Sequence, residues 1–192
     1  MKHGWILGLA CLLCACGPKP GEQYLGDLRA RLAAVDSAAA VFDAAPHAAA
    51  LPAHAKADSA LAVIEARMQD RAVNLEQGKP FTDLDNQRRM LKKQAGRQRR
   101  IQQETQRTRT QIGHLIEAIV DEATVDAQGT PMDTAYLRKA VSDELRISSH
   151  LMEEMEVALD YLNRGLRNLD AVIFRADSAS KALTEHQNSA GS

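Results

Sequence analysis

A heptad repeat in the C-terminal half of this 192-residue chain constrains the fold more than any other feature. Two sets of residues, each spaced seven apart and offset by three positions, occupy its a and d positions for about five heptads. The a set is Leu145, Met152, Leu159, Leu166 and Ile173, and the d set is Ser148, Met155, Leu162, Leu169 and Ala176. Leu151, Ala158 and Val172 widen the apolar stripe, which indicates two neighbouring helices. The pattern predicts one long helix that begins near Pro131 and runs past Arg175.

The preceding sequence supplies the helices against which this one packs. Apolar residues spaced by three and four predict a first helix over residues 22–44. The segment Pro46–Pro52 interrupts the pattern, which resumes over residues 57–75. Gly78 is predicted to follow the end of this second helix, and Pro80 to prevent its continuation.

Capping signals predict where the last two helices begin. Thr82 and Asp85 resemble a capping box at the start of a third helix, which is predicted to end near residues 128–129. Thr130 followed by Pro131 predicts the N-cap and first residue of the last helix.

These segments predict an all-α fold, an elongated antiparallel helical bundle that is coiled-coil-like. Aromatic residues make up only 4 % of the chain, and glycine and proline lie mostly at the ends of periodic segments, which disfavours a sheet. The favoured arrangement has three long helices over residues 22–184, the first of them broken near Pro46–Pro52, and residues 185–192 form a disordered tail. The alternative folds the first two segments back on each other, which gives a four-helix bundle at one end.

The N-terminal residues carry a different signal. A short basic start at Lys2 precedes an apolar run of roughly ten residues, which is too short to span a bilayer as a helix. Leu13-Cys14-Ala15-Cys16 follows, and it resembles the lipobox of bacterial lipoprotein precursors, with Leu13 at position −3 and Ala15 at −1. Cys14 at −2 departs from the residues usual in that family. All three cysteines of the chain lie within residues 11–16, so the rest of the sequence has no disulfide and no thiolate ligand.

The resemblance implies a membrane-anchored protein. Residues 1–15 would be a signal peptide cleaved between Ala15 and Cys16, and Cys16 would receive a diacylglyceryl group and an N-acyl chain. Several acyl chains anchor a protein stably where one does not. In Gram-negative members of the family, a residue such as Gly17 after the cysteine usually permits export to the outer membrane. Residues 16–21 would form the lipidated cysteine and a short tether, stiffened by two prolines.

Histidine residues are the candidates for metal binding, and the sequence favours none of them. His47 and His54 lie in the proline-interrupted segment and are expected to be solvated loop residues. His114-x-x-Glu117 and His150-x-x-Glu153 recur in the two longest helices, but the heptad assignment places both pairs outward. In an antiparallel hairpin His114 is expected level with Glu144 instead of His150. No metal site, cofactor or catalytic residue is therefore predicted, and an enzyme is not expected.

The third helix also carries a basic run and a polar layer. The basic residues are Arg88, Arg89, Lys92, Lys93, Arg97, Arg99, Arg100, Arg107 and Arg109. The favoured interpretation pairs them across the hairpin with Glu153, Glu154, Glu156 and Asp160; the other is contact with anionic lipid or an acidic partner. Nucleic acid is not expected, because no aromatic residues are interleaved for stacking. Gln94, Gln98, Thr105 and Thr108 fall at core positions, where they are interpreted as specifying register, marking a waist or facing a partner helix.

The predicted function follows from the anchor and the shape. We expect a lipoprotein that is anchored in the cell envelope, most simply in the outer membrane, and presents an elongated helical bundle to the periplasm. Its expected role is structural or in protein interaction, with an unidentified protein partner. The alternative is a periplasmic helical bundle that binds a small ligand or metal.

Overall fold

The computed structural model describes residue 19, residues 21–69, residue 71 and residues 73–190, the last four of these without their side chains. The described residues form six α-helices and two short 3₁₀ turns, and they contain no strand. The helices are α1 (Leu25–Asp43), α2 (Ala50–Met68), α3 (Leu75–Lys92), α4 (Gln94–Val120), α5 (Thr134–Leu166) and α6 (Leu169–Ala190). The 3₁₀ turns are Glu22–Tyr24 and His47–Ala49. The prediction of an all-α helical bundle is confirmed.

The helices lie in three rows of two. α1 packs against α4 and α5, whereas α2 packs against α3 and α6, so α1 and α2 follow each other along the bundle. α3 and α4 form the second row and α5 and α6 the third, and α3 also contacts α5. The prediction of three long helices is wrong in the number of helices, because every row is interrupted.

Three apolar clusters succeed one another along the bundle. The first surrounds Leu28 and joins the start of α1 to the end of α4 and the start of α5. The second surrounds Phe42 and Met155 in the middle. The third surrounds Leu84 and Leu162 and joins α2, α3, α5 and α6. Because α5 alone has 33 residues, about 50 Å at 1.5 Å per residue, these clusters are spread over an elongated core.

The buried face of α5 is rotated from the predicted one. The d residues Ser148, Met155 and Leu162 are buried as expected, but the a residues Met152 and Leu159 are only half-buried. The second buried row consists of Leu151, Ala158, Gly165 and Val172. The buried stripe of α5 is therefore centred between the d row and the row that contains Leu151 and Ala158. The stripe is wide because α5 contacts α4 on one side and α1 and α3 on others.

Two of the interruptions fall where the sequence predicted continuous helix. The α5–α6 junction lies at Arg167 and Asn168, and Asn168 has φ of 51°, in the left-handed region that asparagine tolerates. Leu169 remains buried after the junction, so the apolar seam continues although the helix does not. The α3–α4 junction is milder, with Lys93 alone outside helical geometry.

The starts of three helices also differ from prediction. α2 begins at Ala50, seven residues before Ala57, where its apolar pattern was predicted to begin. Pro52 lies in the first turn of α2, where the N–H group that proline lacks would have no partner within the helix. α3 begins with a capping box between Asn74 and Gln77, so Gly78, Pro80 and Thr82 lie inside the helix. The N-cap of α5 is Asp133, whose carboxylate accepts from the Tyr136 N–H at 2.8 Å, in place of Thr130.

The C-terminal helix continues further than the sequence suggests. α6 extends to Ala190, through most of the 185–192 segment for which a disordered tail was predicted.

Candidate functional site

The predicted anchor residues lie just before the first described residue. Ala15 and Cys16 are outside the described part of the chain, which begins with Lys19. Lys19 forms a salt bridge of 2.5 Å with Glu122, at the end of α4. The chain therefore joins the bundle beside the α4–α5 loop, and we call this region, residues 19–24 and 117–137, the anchor end.

Gly21 packs the chain tightly onto the anchor end. It is buried and has φ of 85°, a conformation that favours glycine. A Cβ at this position would lie 3.0 Å from Leu137 Cδ1 and 3.2 Å from Ile119 Cγ1. The last residue of the predicted tether is thus part of the folded bundle.

Asp126 organises the loop between α4 and α5. Its Oδ1 accepts from the backbone N–H groups of Gln128 and Thr130 at 2.9 and 2.8 Å, and its Oδ2 accepts from the Tyr136 hydroxyl at 3.0 Å. These hydrogen bonds, with that from Thr130 the largest cause, hold the pKa of Asp126 below its usual range. Sequence reasoning missed this residue, although Asp126 with Gly129 three positions later is a turn signal.

Replacing Asp126 by asparagine should lower the melting temperature by a few degrees at neutral pH. The lowered pKa means that the carboxylate stabilises the fold above the unfolded-state pKa of about 3.9 and that this contribution is lost as pH falls through the folded-state value. Melting followed by circular dichroism at several pH values should show the difference from the parent shrinking below about pH 4. Asp121→Asn, an exposed residue in the same loop, is the control. An Asp126→Asn variant that melts like the parent at neutral pH would contradict this role.

The anchor end is strongly acidic. Residues 117–133 contain Glu117, Asp121, Glu122, Asp126 and Asp133 and no lysine or arginine. Val120 and Val125 are about half exposed in the same region. A surface of this charge is repelled by anionic lipid head groups.

A polar cleft of about 420 Å³ adjoins the acidic loop. Among its lining residues are His114, Asp126, Tyr136 and Glu144. Burial raises the pKa of Glu144, and its Oε2 has no hydrogen-bond partner among the described residues. The sequence placed His114 level with Glu144, and the two side chains do line this one cleft.

The other candidate histidines are dispersed. His150 is exposed on α5 and lies 3.7 Å from Glu154. It does not line the cleft that contains His114. His47 and His54 are half-buried, not solvated as expected. The His47 Nε2 is 2.7 Å from the Phe42 carbonyl oxygen, which ties the 3₁₀ turn to the end of α1. Over the described ranges, no group of three or more histidine, cysteine, aspartate or glutamate side chains is arranged to hold a metal ion.

The basic run pairs in several directions instead of mainly with α5. Arg100 reaches Glu154 across the hairpin at 3.5 Å, as predicted, whereas Arg109 pairs with Asp36 of α1 at 2.6 Å. Arg88 bridges Asp85 and Asp58. The predicted pairings with Glu153, Glu156 and Asp160 do not form among the described residues.

Arg97 has an environment of its own within that run. Its guanidinium lies 4.4 Å from the centre of the Tyr161 ring, and its Nη1 is buried without a hydrogen-bond partner within the described structure. Sequence reasoning did not connect these two residues.

Three residues of the polar layer, Gln94, Thr105 and Thr108, are buried, and hydrogen bonds to nearby carbonyls satisfy the first two. Gln94 and Thr105 are almost fully buried and donate to the carbonyls of Met90 and Ile101, one turn earlier in the same row. Ser148 on α5 does the same with Glu144. Gln98 is only half-buried. These side chains allow close packing without demanding a partner from another helix.

None of the helices described combines the length and the apolar character needed to cross a membrane. No protein-family model matches this chain, and no curated protein and no solved structure matches it.

Proposed function

We propose that this protein is a lipid-anchored envelope protein in which Cys16 carries the acyl chains and the helical bundle is presented to another envelope component. The observation that carries the proposal is the position of the lipobox, which ends three residues before Lys19. Lys19 forms a salt bridge with Glu122 at one end of the bundle. A tether between Cys16 and Gly21 of at most about 15–20 Å would keep the anchor end close to the bilayer.

The charge of the anchor end supports attachment by lipid instead of adsorption. Five carboxylates and no basic residue within residues 117–133 disfavour contact with anionic head groups. The acyl chains must therefore supply the membrane affinity. With the anchor end at the bilayer, the α2–α3 and α6 end of the bundle would point away from it, and Gly17 favours the outer membrane on its periplasmic side.

Membrane fractionation tests the mode of attachment. We expect the full-length protein to sediment with membranes, to remain there after washes with concentrated salt and alkaline carbonate, and to dissolve only in detergent. Release by salt would indicate adsorption through charge, and recovery in the soluble fraction would contradict an anchor altogether.

The cleft at His114 and Glu144 supports a second candidate, binding of a small ligand. A carboxylate oxygen that lacks a hydrogen-bond partner in a concave site favours a cationic group, although the charge of Arg107 also acts on Glu144. A ligand that binds only the folded protein must raise its melting temperature. Thermal melting with spermidine as an organic cation and with Zn²⁺ tests this function, and an unchanged melting temperature with both would remove it.

A further inference from the structure

An open groove runs along the surface of the bundle between α4 and α5. Two adjoining clefts of about 310 and 270 Å³ lie along it and share Arg100, His150 and Glu154. The groove extends from Ile147 to Tyr161 on α5, which is about 20 Å at 1.5 Å per residue. α1 packs on both helices from another side, where Arg31 donates to Ser149, and leaves this side open.

The α5 bank of the groove carries exposed apolar side chains. Val157 is 53 % exposed and Ile147 is 37 % exposed. Tyr161 forms one end of the groove, where the Arg97 guanidinium lies over its ring. Other exposed apolar residues, such as Phe174 and Leu75, lie on α6 and α3 outside any such groove. Along the α5 bank the exposed apolar residues alternate with His150 and Glu154, a mixture of apolar and polar side chains that occurs at protein interfaces.

The charges on the two banks are opposite and lie at matching heights. On the α4 bank Arg100 stands level with Glu154 of α5, as their 3.5 Å separation shows. One turn along, Glu104 and His150 line the same cleft. Arg97, less than one turn the other way on α4, extends along the groove to the Tyr161 ring, which lies two turns beyond Glu154 on α5. The Arg100 and Glu154 pair and the Glu104 and His150 pair thus each have one member on each helix at the same height.

This arrangement is self-complementary under one symmetry only. A two-fold axis parallel to the helices places α4 of one copy over α5 of the other at the same height. Arg100 then faces Glu154 of the second copy, and Glu104 faces His150. A two-fold axis across the helices would instead place α4 on α4 and bring arginine-rich surfaces together, which costs binding energy.

We propose that the α4–α5 groove binds a second copy of this chain in a parallel, two-fold symmetric dimer. Val157, Ile147 and Tyr161 would be buried along the interface, and Arg100 of each copy would pair with Glu154 of the other, once on each side of the axis. Both anchor ends then lie at the same end of the dimer, which is the geometry that two copies held in one membrane require. That agreement rests on the proposed function, whereas the charge argument stands without it.

Charge reversal at two positions tests the dimer and its orientation. We expect the full-length protein in detergent, measured by light scattering that separates protein mass from detergent mass, to have the mass of a dimer. Arg100→Glu and Glu154→Arg should each weaken association at least about tenfold, because each places like charges across both contacts. An equimolar mixture of the two variants should recover the dimer. One contact would then join the introduced glutamate to the introduced arginine, and the other would keep Arg100 facing Glu154.

The controls separate this interface from loss of folding and from other contacts. Arg29→Glu changes an exposed charge on α1 and should leave the dimer intact. The circular dichroism spectrum of each single variant should match that of the parent, and its melting should stay cooperative, because the Arg100–Glu154 ion pair lies at the surface within one chain, with its side chains 61 % and 32 % exposed.

Three results would overturn the proposal: a monomeric parent, single variants that dimerise as the parent does, or a mixture of variants that stays monomeric. The acyl mass on Cys16 is measured separately, so a monomeric protein that still carries lipid rejects the dimer and leaves the proposed anchor in place.

Discussion

Replacing Leu162 by aspartate should abolish the cooperative folding of the bundle. Leu162 is fully buried at the centre of the cluster in which α2, α3, α5 and α6 meet. One turn along α5, a Cβ on Gly165 would lie 2.8 Å from Leu91, so α3 and α5 are in close contact and leave no room for water. Removing a buried leucine costs about 2–5 kcal/mol, and a buried unpaired carboxylate adds to this. Domains of this kind are stable by about 5–15 kcal/mol in total.

Circular dichroism of the full-length protein in detergent measures this effect. We expect Leu162→Asp to lose the cooperative melting transition or to melt far below the parent. Asn163→Asp introduces the same side chain at the next residue, which is exposed, and should change the melting temperature by only a degree or two, consistent with the usual limit of about 0.5 kcal/mol at surface sites. Leu159→Asp should fall between the two, because Leu159 is half-buried. A cooperative Leu162→Asp variant that melts near the parent temperature would contradict the core described above.

Replacing Cys16 by serine should abolish lipidation of the protein. The thiol of Cys16 is the group that would form the thioether expected of the lipobox. We expect an unlipidated precursor, either retained by its uncleaved signal or released as soluble protein if another peptidase cleaves it. Gel mobility together with fractionation distinguishes these two forms from the mature lipidated protein.

Cys14→Ser provides a matched control for that variant. It removes a cysteine two residues away and places a small residue at position −2 of the lipobox, so processing should continue and the protein should stay in the washed membranes. Loss of acyl mass in Cys14→Ser, with acyl mass kept in Cys16→Ser, would show that the acceptor is Cys14.

The sequence predicted the helical bundle because hydrophobic period is a local and redundant signal. Leu28, Leu84 and Ile112 are fully buried, as their spacing suggested. The junction at Asn168 was not visible in the pattern, because the apolar seam passes through Leu162 and Leu169 without a change of spacing and an asparagine in left-handed geometry leaves no glycine or proline signal. The start of α3 was missed because Gly78 and Pro80 are typical of a helix end, and the capping box at Asn74 and Gln77 was not recognised. Pro80 is the sixth residue of α3, where a proline removes one backbone hydrogen bond and the helix nevertheless continues.

The lipobox prediction rests on the order of residues 13–16 alone, whereas the geometry around it depends on tertiary packing. The contact between Lys19 and Glu122 forms only when distant segments of the chain assemble. The partners of the basic run show the same limit. Arg109 and Arg88 pair with α1 and α2, and only the rows formed by the tertiary packing bring those carboxylates within reach.

Mass spectrometry of the mature N-terminus tests the central claim most directly. The intact protein should be extracted from membranes with detergent, and its N-terminal peptide should be fragmented to locate added mass. The lipid-anchor account predicts a chain that begins at Cys16 and carries a diacylglyceryl group and an acyl chain on that residue. A mature chain that begins elsewhere, or a Cys16 without acyl mass, would contradict the account and leave an exported helical bundle without a lipid anchor.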